Sequence, residues 1–218
     1  MTTDRMVPVI LRRTRLDDAA VCGRVLYEGF TELGRRHGFP PDFASPGGAV
    51  IAATSMVASP AIYGVVAELA GDVVGCIFVD EKDVVRSIGP MAVVPHAQRR
   101  GIASELLSAA MRRVEGSVSM RGVSDGFNMH TAALYALLGF DVKEPVIQLA
   151  GSMRDEIPVG FEVRRLRPDD LDACADLCTR VHGFARTNEL KDALGVPVCA
   201  AFVAVSYTHL TLPTILRV

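Results

Sequence analysis

The stretch IYGVVAELAGDVVGCIFVDEKDVVRSIGPMAVV, Ile62–Val94, limits the fold more than any other part of the chain. Apolar, β-branched runs follow one another, separated only by Ala70-Gly71-Asp72 and Asp80–Asp83. Runs joined by so few turn residues pair with their sequence neighbours, so an antiparallel meander is expected. A helix from about Arg100 to Val114 comes next, with Ile102, Leu106, Ala110 and Val114 on one apolar stripe. A meander running into a helix predicts an α/β chain of the α+β kind, with a mixed, mostly antiparallel central sheet flanked by helices.

The flanking segments fill in this outline. VILRR predicts a short strand, Asp17 and Asp18 stand where a helix cap belongs, and a helix is expected through about Phe30. TELGRRHGFPPDFASPGG, rich in Gly and Pro, predicts an irregular loop, followed by a short helix over Ala49–Val57. Gly122–Phe127 is expected as a strand, Thr131–Leu138 as a helix ended by Gly139, and FDVKEPVIQLAG as a last strand.

A boundary is expected at GSMRDEIPVG, polar and bracketed by Gly151 and Gly160, and an internal echo lies beyond it. RRTRLDDAAVC matches RRLRPDDLDAC at Arg12/Arg164, Arg13/Arg165, Arg15/Arg167, Asp17/Asp169, Asp18/Asp170 and Cys22/Cys174, all at one offset. The reading is a complete domain over 1–151, a linker over 152–160 and the start of a second copy over 161–204. Chance likeness of two strand–turn–helix openings is the plainer alternative. The tail 205–218 has no apolar periodicity, and its VSYTHL resembles a translated sequencing adapter. It is expected to be non-native, with the natural chain continuing beyond a truncated second lobe.

Composition excludes several function classes. The net charge of −2, with acidic and basic residues interleaved, gives no general attraction to nucleic acid or to anionic lipid. The first residues are charged throughout and lack the apolar core of a signal peptide, so a cytoplasmic location is expected. The 5 cysteines are scattered through apolar stretches. Cys174 and Cys178 lie a helical turn apart without a second Cys/His pair, so buried free thiols are expected and no metal.

Arg99-Arg100-Gly101 stands between a strand ending near Pro95 and the helix. The first-turn N–H groups of a helix lack partners within it, and the helix dipole adds positive potential there. Such a turn favours an anion. Gly101 would let a phosphate oxygen approach the backbone, Ala103 keeps the next position small, and Arg99 and Arg100 would neutralise a pyrophosphate. A solvated helix start is the competing reading, although arginines are slightly unfavourable beside that dipole end. No Gly-Lys-Ser/Thr follows, which excludes a mononucleotide P-loop, and antiparallel strands fit a dinucleotide fold poorly.

MAVVPHAQRRGIASELL resembles the acyl-CoA motif of the GNAT N-acetyltransferase superfamily, through Val93, Pro95, Gln98, Gly101 and Ala103. NMHTAALYALLGF is similar to a second element of that family, an Asn before a helix that bears a Tyr, here Asn128 and Tyr135. The resemblance spans about Val9 to Gly151, and tandem arrangements occur among such proteins. It implies a GNAT-like fold and acetyl-CoA as acyl donor, its pyrophosphate on the backbone of Arg99, Arg100, Gly101, Ile102, Ala103 and Ser104, beside Gln98. The pantetheine arm would bond Met91, Ala92 and Val93 where the sheet splays, with Asn128 on its other side. Tyr135 is implied as the acid that protonates the departing thiolate, against the ordinary role of a tyrosine capping a core.

The general base has no motif. Glu28, His37, Asp80, Glu81 and Asp125 are candidates, each open to being a solvated surface group, and Glu28 is preferred because the first helix walls the acceptor groove in such folds. His37, Phe39 and Phe43 are consistent with a partly apolar acceptor pocket or with simple loop packing. The activity expected is transfer of an acetyl group to a primary amine of a small molecule or protein. A non-catalytic acyl-CoA-binding sensor or scaffold lobe is the alternative, and packing of the second lobe on the first or a homodimer are both left open.

Overall fold

In a computed structural model of the chain, residues 8–116, 119–147, 159–195, 201–206 and 214–217 are described. The sheet of the first part runs in sequence order. β1 (Val9–Arg13) pairs with β2 (Ile62–Leu69), β2 with β3 (Asp72–Asp80), and β3 with β4 (Val85–Val93), all antiparallel. The meander expected from the turn residues is therefore present. β5 (Ser119–Gly122) joins the edge of β4 in parallel, after a crossover through α3 (Ile102–Arg113).

Two helices precede the meander. α1 (Ala19–His37) buries Cys22, Val25 and Leu26, and α2 (Pro46–Ala58) buries Ala49 and Ala53. α2 starts where Ser45 Oγ accepts the N–H of Gly48 at 3.1 Å and Pro46 supplies a pre-set φ. The α3 stripe of Ile102, Leu106, Ala110 and Val114 enters the same core as Val66, Cys76, Ile77, Phe78 and Val79. Gly75 lets α3 approach β3, since a Cβ there would stand 3.0 Å from Leu106 Cδ1.

Some expected boundaries are corrected. α1 does not stop at Phe30 but continues to His37. Glu32 binds both Arg35 and Arg36 at 2.8 Å along its last turns, and Gly38 ends it at φ 72°, where a residue with a Cβ would be strained. The parallel strand is Ser119–Gly122 rather than Gly122–Phe127, because its register against Val85–Ile88 ends at Gly122. α4 (Met129–Leu137) begins earlier than Thr131, capped by Asn128. The last strand expected from Phe140 onward is not formed over Phe140–Ile147. Val142, Val146 and Ile147 stand exposed there, and Pro145 removes a donor from any ladder; Gln148–Gly151 lie outside the described residues.

The chain divides into two compact units, residues 1–81 with 85–142, and residues 82–84 with 143–218. The expected linker at 152–160 lies mostly outside the described residues. In the second unit β6 (Phe161–Arg165), α5 (Leu171–His182), α6 (Thr187–Gly195) and β7 (Ala201–Ser206) follow in order, and β8 (Thr214–Arg217) pairs with β7. β7 thus extends into the segment set aside from sequence, and β8 lies wholly within it. Leu166, Cys174 and Val203 form this unit's core. No helix among the described residues is long and apolar enough to cross a membrane.

Candidate active site

The sheet opens at β4. Val79 faces Ile88, whereas Ile77 faces Met91, so β4 carries one residue more than β3 across this step. Such a bulge bends and twists the strand that carries it. It falls at Gly89-Pro90, directly after Ile88, the last residue of β4 paired with β5. Beyond that point β4 continues to Val93 without a partner on the β5 side among the described residues. Val94 N–H bonds Val74 O at 2.9 Å, so strand alternation turns the amides of Met91 and Val93 the other way, into the gap.

The turn after β4 is fastened internally. Gln98 Nε2 donates to Val93 O at 2.9 Å, so this side chain holds the loop against the strand end. Arg99 and Gly101 both lie in the left-handed region, at φ 63° and 79°. Left-handed residues set among ordinary ones turn successive N–H groups toward a common side, the geometry of an anion-binding nest. Glu105 N–H is the first amide of α3 with a backbone partner, Gly101 O at 3.1 Å. The amides of Arg99, Arg100, Gly101, Ile102, Ala103 and Ser104 have none among the described residues. Arg99 and Arg100 are exposed, and nothing lies within 4 Å of where a Cβ on Gly101 would project. An anion has both donors and room here.

At the start of α4, Asn128 Oδ1 accepts Thr131 N–H at 3.2 Å, so its carbonyl caps the helix. Its Nδ2 donors are not used by this cap. Tyr135 is half-buried on α4, its ring 5.1 Å from that of Phe140 and packed on the main core. Burial pushes its phenol above the ordinary tyrosine range. A phenol of this kind keeps its proton at neutral pH.

α1 closes the other side of β4. A Cβ on Gly29 would stand 2.9 Å from Ala92 Cβ, so the helix crosses the strand at that glycine. Glu28, the adjacent residue, is exposed and forms no ion pair among the described residues. The other base candidates are placed differently. Asp80 pairs with Ser87 at the far end of β4, and Glu81 binds Arg113 at 2.8 Å, so neither is near Met91–Val93. His37 packs on Phe127 at 5.0 Å. Phe127 also stacks on Phe39, at 4.3 Å and 9°, whereas Phe43 packs edge-on against Phe30 at 5.9 Å. The sequence grouping of His37, Phe39 and Phe43 is thus replaced by His37, Phe39 and Phe127. The position of Phe127 directly before Asn128 was the one available signal.

Residues 60–142 match the family model of the acetyltransferase (GNAT) domain. Solved structures of the same fold agree in architecture at low identity. A transcriptional regulator from Bacillus halodurans C-125 has a TM-score of 0.53 and 19% identity, over 66% of this chain and 100% of that one. A possible acetyltransferase from Clostridium difficile 630 has a TM-score of 0.52 and 15% identity, over 67% of this chain and 99% of that one. The aminoglycoside N-acetyltransferase AAC(6')-Iy, solved in complex with CoA, has a TM-score of 0.51 and 16% identity, over 69% and 99%. No curated protein matches the chain. The matched residues contain β4, its bulge, the Arg99–Ser104 turn, Asn128 and Tyr135, but not α1.

Proposed function

We propose that the first unit is a GNAT domain and an acetyl-CoA-dependent N-acetyltransferase that acetylates a primary amine by direct attack. The observation that carries this reading is the run of partnerless amides at Arg99–Ser104 beside the open edge of β4. A pyrophosphate fits the first, and the amide-rich pantetheine arm fits the second like an added strand. The complex of AAC(6')-Iy with CoA offers the same pairing of fold and ligand in another protein. Acetyl-CoA, when bound, supplies the activated acetyl thioester.

The residues then divide the work. Met91 and Val93 N–H groups orient the arm, and Val93 N–H faces the oxygen on which negative charge develops. Asn128 holds the arm from the far side through its amide donors. Glu28, next to the α1–β4 crossing at Gly29, accepts the proton of the acceptor amine. Tyr135 delivers its proton to the departing thiolate, a task suited to a phenol kept neutral by burial. We read the second unit as a partial copy of the first, supported by Arg164, which donates to Asp170 as Arg12 does to Asp18.

Calorimetry with acetyl-CoA, followed by thiol release over a panel of amines, tests this. Gly101→Glu should abolish acetyl-CoA binding, because φ 79° strains any side chain there and a carboxylate repels phosphate. Arg99→Ala should only weaken it. Tyr135→Phe should lower kcat by ~10²-fold with acetyl-CoA affinity retained. Since the phenol must be protonated and its pKa is raised, wild-type activity should fall only as pH rises through that raised value. Tyr135→Phe should remove that alkaline limb. An unchanged rate and pH profile would show that Tyr135 is not the acid.

A further inference from the structure

α4 has two apolar faces, and only one of them is covered. Leu134, Tyr135 and Leu138 pack on the main core. On the opposite side Met129, Ala132, Ala133, Ala136 and Leu137 are all exposed, at the i, i+3, i+4, i+7, i+8 spacing of a packing face. Met129 is 70% exposed and Leu137 85%. The other helices of this unit present polar groups instead. α1 turns Arg24, Glu28, Arg35 and Arg36 to solvent, and α3 turns Glu105, Arg112 and Arg113. α2, which is uncharged, turns Thr54 and Ser55 outward beside Ile51. α4 carries no Asp, Glu, Lys or Arg. Its outer face has the composition of an interior.

The order of residues along this face selects its occupant. Met129 lies one turn before Ala133 and Leu137 one turn after it, with alanines between them. A face that reads large–small–large in both directions is complementary to itself turned end for end. In an antiparallel pair about a twofold axis at Ala133, Met129 of one copy meets Leu137 of the other. The alanines let the two helix axes approach to the short end of the usual range of about 8–10 Å. Such a pairing sets no like charges opposite each other, and it lays the positive end of each helix dipole beside the negative end of its mate. A parallel pairing would set like ends together. The stripe exposes roughly 400 Å² of apolar surface, so two copies would bury about 800 Å² before any rim residue, the scale of a weak, reversible dimer.

We propose that the outer face of α4 docks on the same face of a second copy of this chain, antiparallel and about a twofold axis at Ala133. Tyr135 stays on the inner side of α4 in each copy. The contact therefore lies on the back of the helix and does not depend on the acetyl-transfer reading.

Sedimentation equilibrium on the full chain, over a concentration series through the micromolar range, tests the docking directly. A reversible monomer–dimer equilibrium is expected, with Kd on the order of 10 μM. Leu137→Glu, which would bury two carboxylates in the contact, should weaken the dimer at least about 10-fold. Because Leu137 is exposed in the single chain, its melting curve should stay at the wild-type temperature. Ala133→Cys places a thiol on the twofold axis and should link two chains under mild oxidation. Ala58→Cys, exposed at the end of α2, serves as the reference position, and the unaltered chain receives the same treatment. A dimer lost in Leu137→Glu and captured through Ala133→Cys is the expected result. A chain that stays monomeric throughout, a dimer that Leu137→Glu leaves intact, or an Ala133→Cys chain that links no faster than Ala58→Cys overturns the proposal.

Discussion

The openings of the two units use the same parts to different depth. In the first, Arg12 Nη1 and Nη2 donate to Asp18 at 2.6 and 2.8 Å, and Asp18 Oδ2 also accepts Arg15 N–H at 2.7 Å. In the second, Arg164 donates to Asp170 at 2.7 and 2.8 Å, and Asp170 Oδ2 accepts Arg167 N–H at 2.8 Å. Thr14 N–H bonds Gly64 O at 2.9 Å and Leu166 N–H bonds Ala201 O at 2.9 Å. Cys22 and Cys174 are both fully buried, as are Val66 and Val203 on the neighbouring strands. The repeated Arg, Asp and Cys of the sequence are therefore repeated because each has a structural task. The differences lie at the strand edge. Ile10 faces Glu68 in the first unit, and Glu68 also binds Arg12 at 2.7 Å; Glu162 faces Val205 in the second. The carboxylate has changed strands.

The largest test of this comparison is removal of the carboxylate that each arginine grips. Asp18→Ala strands a guanidinium and an amide in a partly buried site and should cost about 2 kcal/mol. Asp170→Ala, in a more exposed setting, should cost about 1 kcal/mol. Amide hydrogen exchange in β1 and in β6 reads each unit separately, and equal losses would break the distinction.

Acidification should act in the same order with a smaller effect. Arg12 first, then Arg15 N–H, hold Asp18 below the usual carboxylate range; Arg164 and Arg167 N–H do so for Asp170. A carboxyl whose folded pKa is depressed contributes stability that is complete above its unfolded value of about 3.9. That contribution is lost as pH falls through the lower folded value. Exchange protection in β1 and β6 should therefore decline below about pH 4, and Asp18→Asn should flatten the decline in β1 alone. The smallest effect should come from Glu68→Gln, about 0.5 kcal/mol, as for other surface pairs. Val205→Glu should destabilise β7 instead, because it would set two like charges opposite each other at Glu162.

What the sequence revealed depended on how local the cause was. The meander was legible because its turns lie between the runs they join. The Arg99–Ser104 turn was legible because Gly101 sits at the helix start, but the left-handed Arg99 was not, since nothing in an arginine signals positive φ. The end of α1 was misjudged because Gly34 and the nearby Gly and Pro read as a loop, while the Glu32 pairs and Gly38 set the true end. The strand expected at Gly122–Phe127 was displaced because pairing with β4, a non-local event, sets its limit. Phe127 meets Phe39 through a contact between loops distant in sequence, which no local pattern encodes.

Gln98 bears on how the turn meets an anion. Its side chain ties the loop to Val93 O, which restricts the conformations open to Arg99–Ser104. Under the reading proposed above, binding would incur little entropic penalty for ordering the loop, and the turn would be preorganised rather than moulded. Association with a phosphate-bearing ligand should accordingly be fast, limited by encounter and not by a slow rearrangement of the turn.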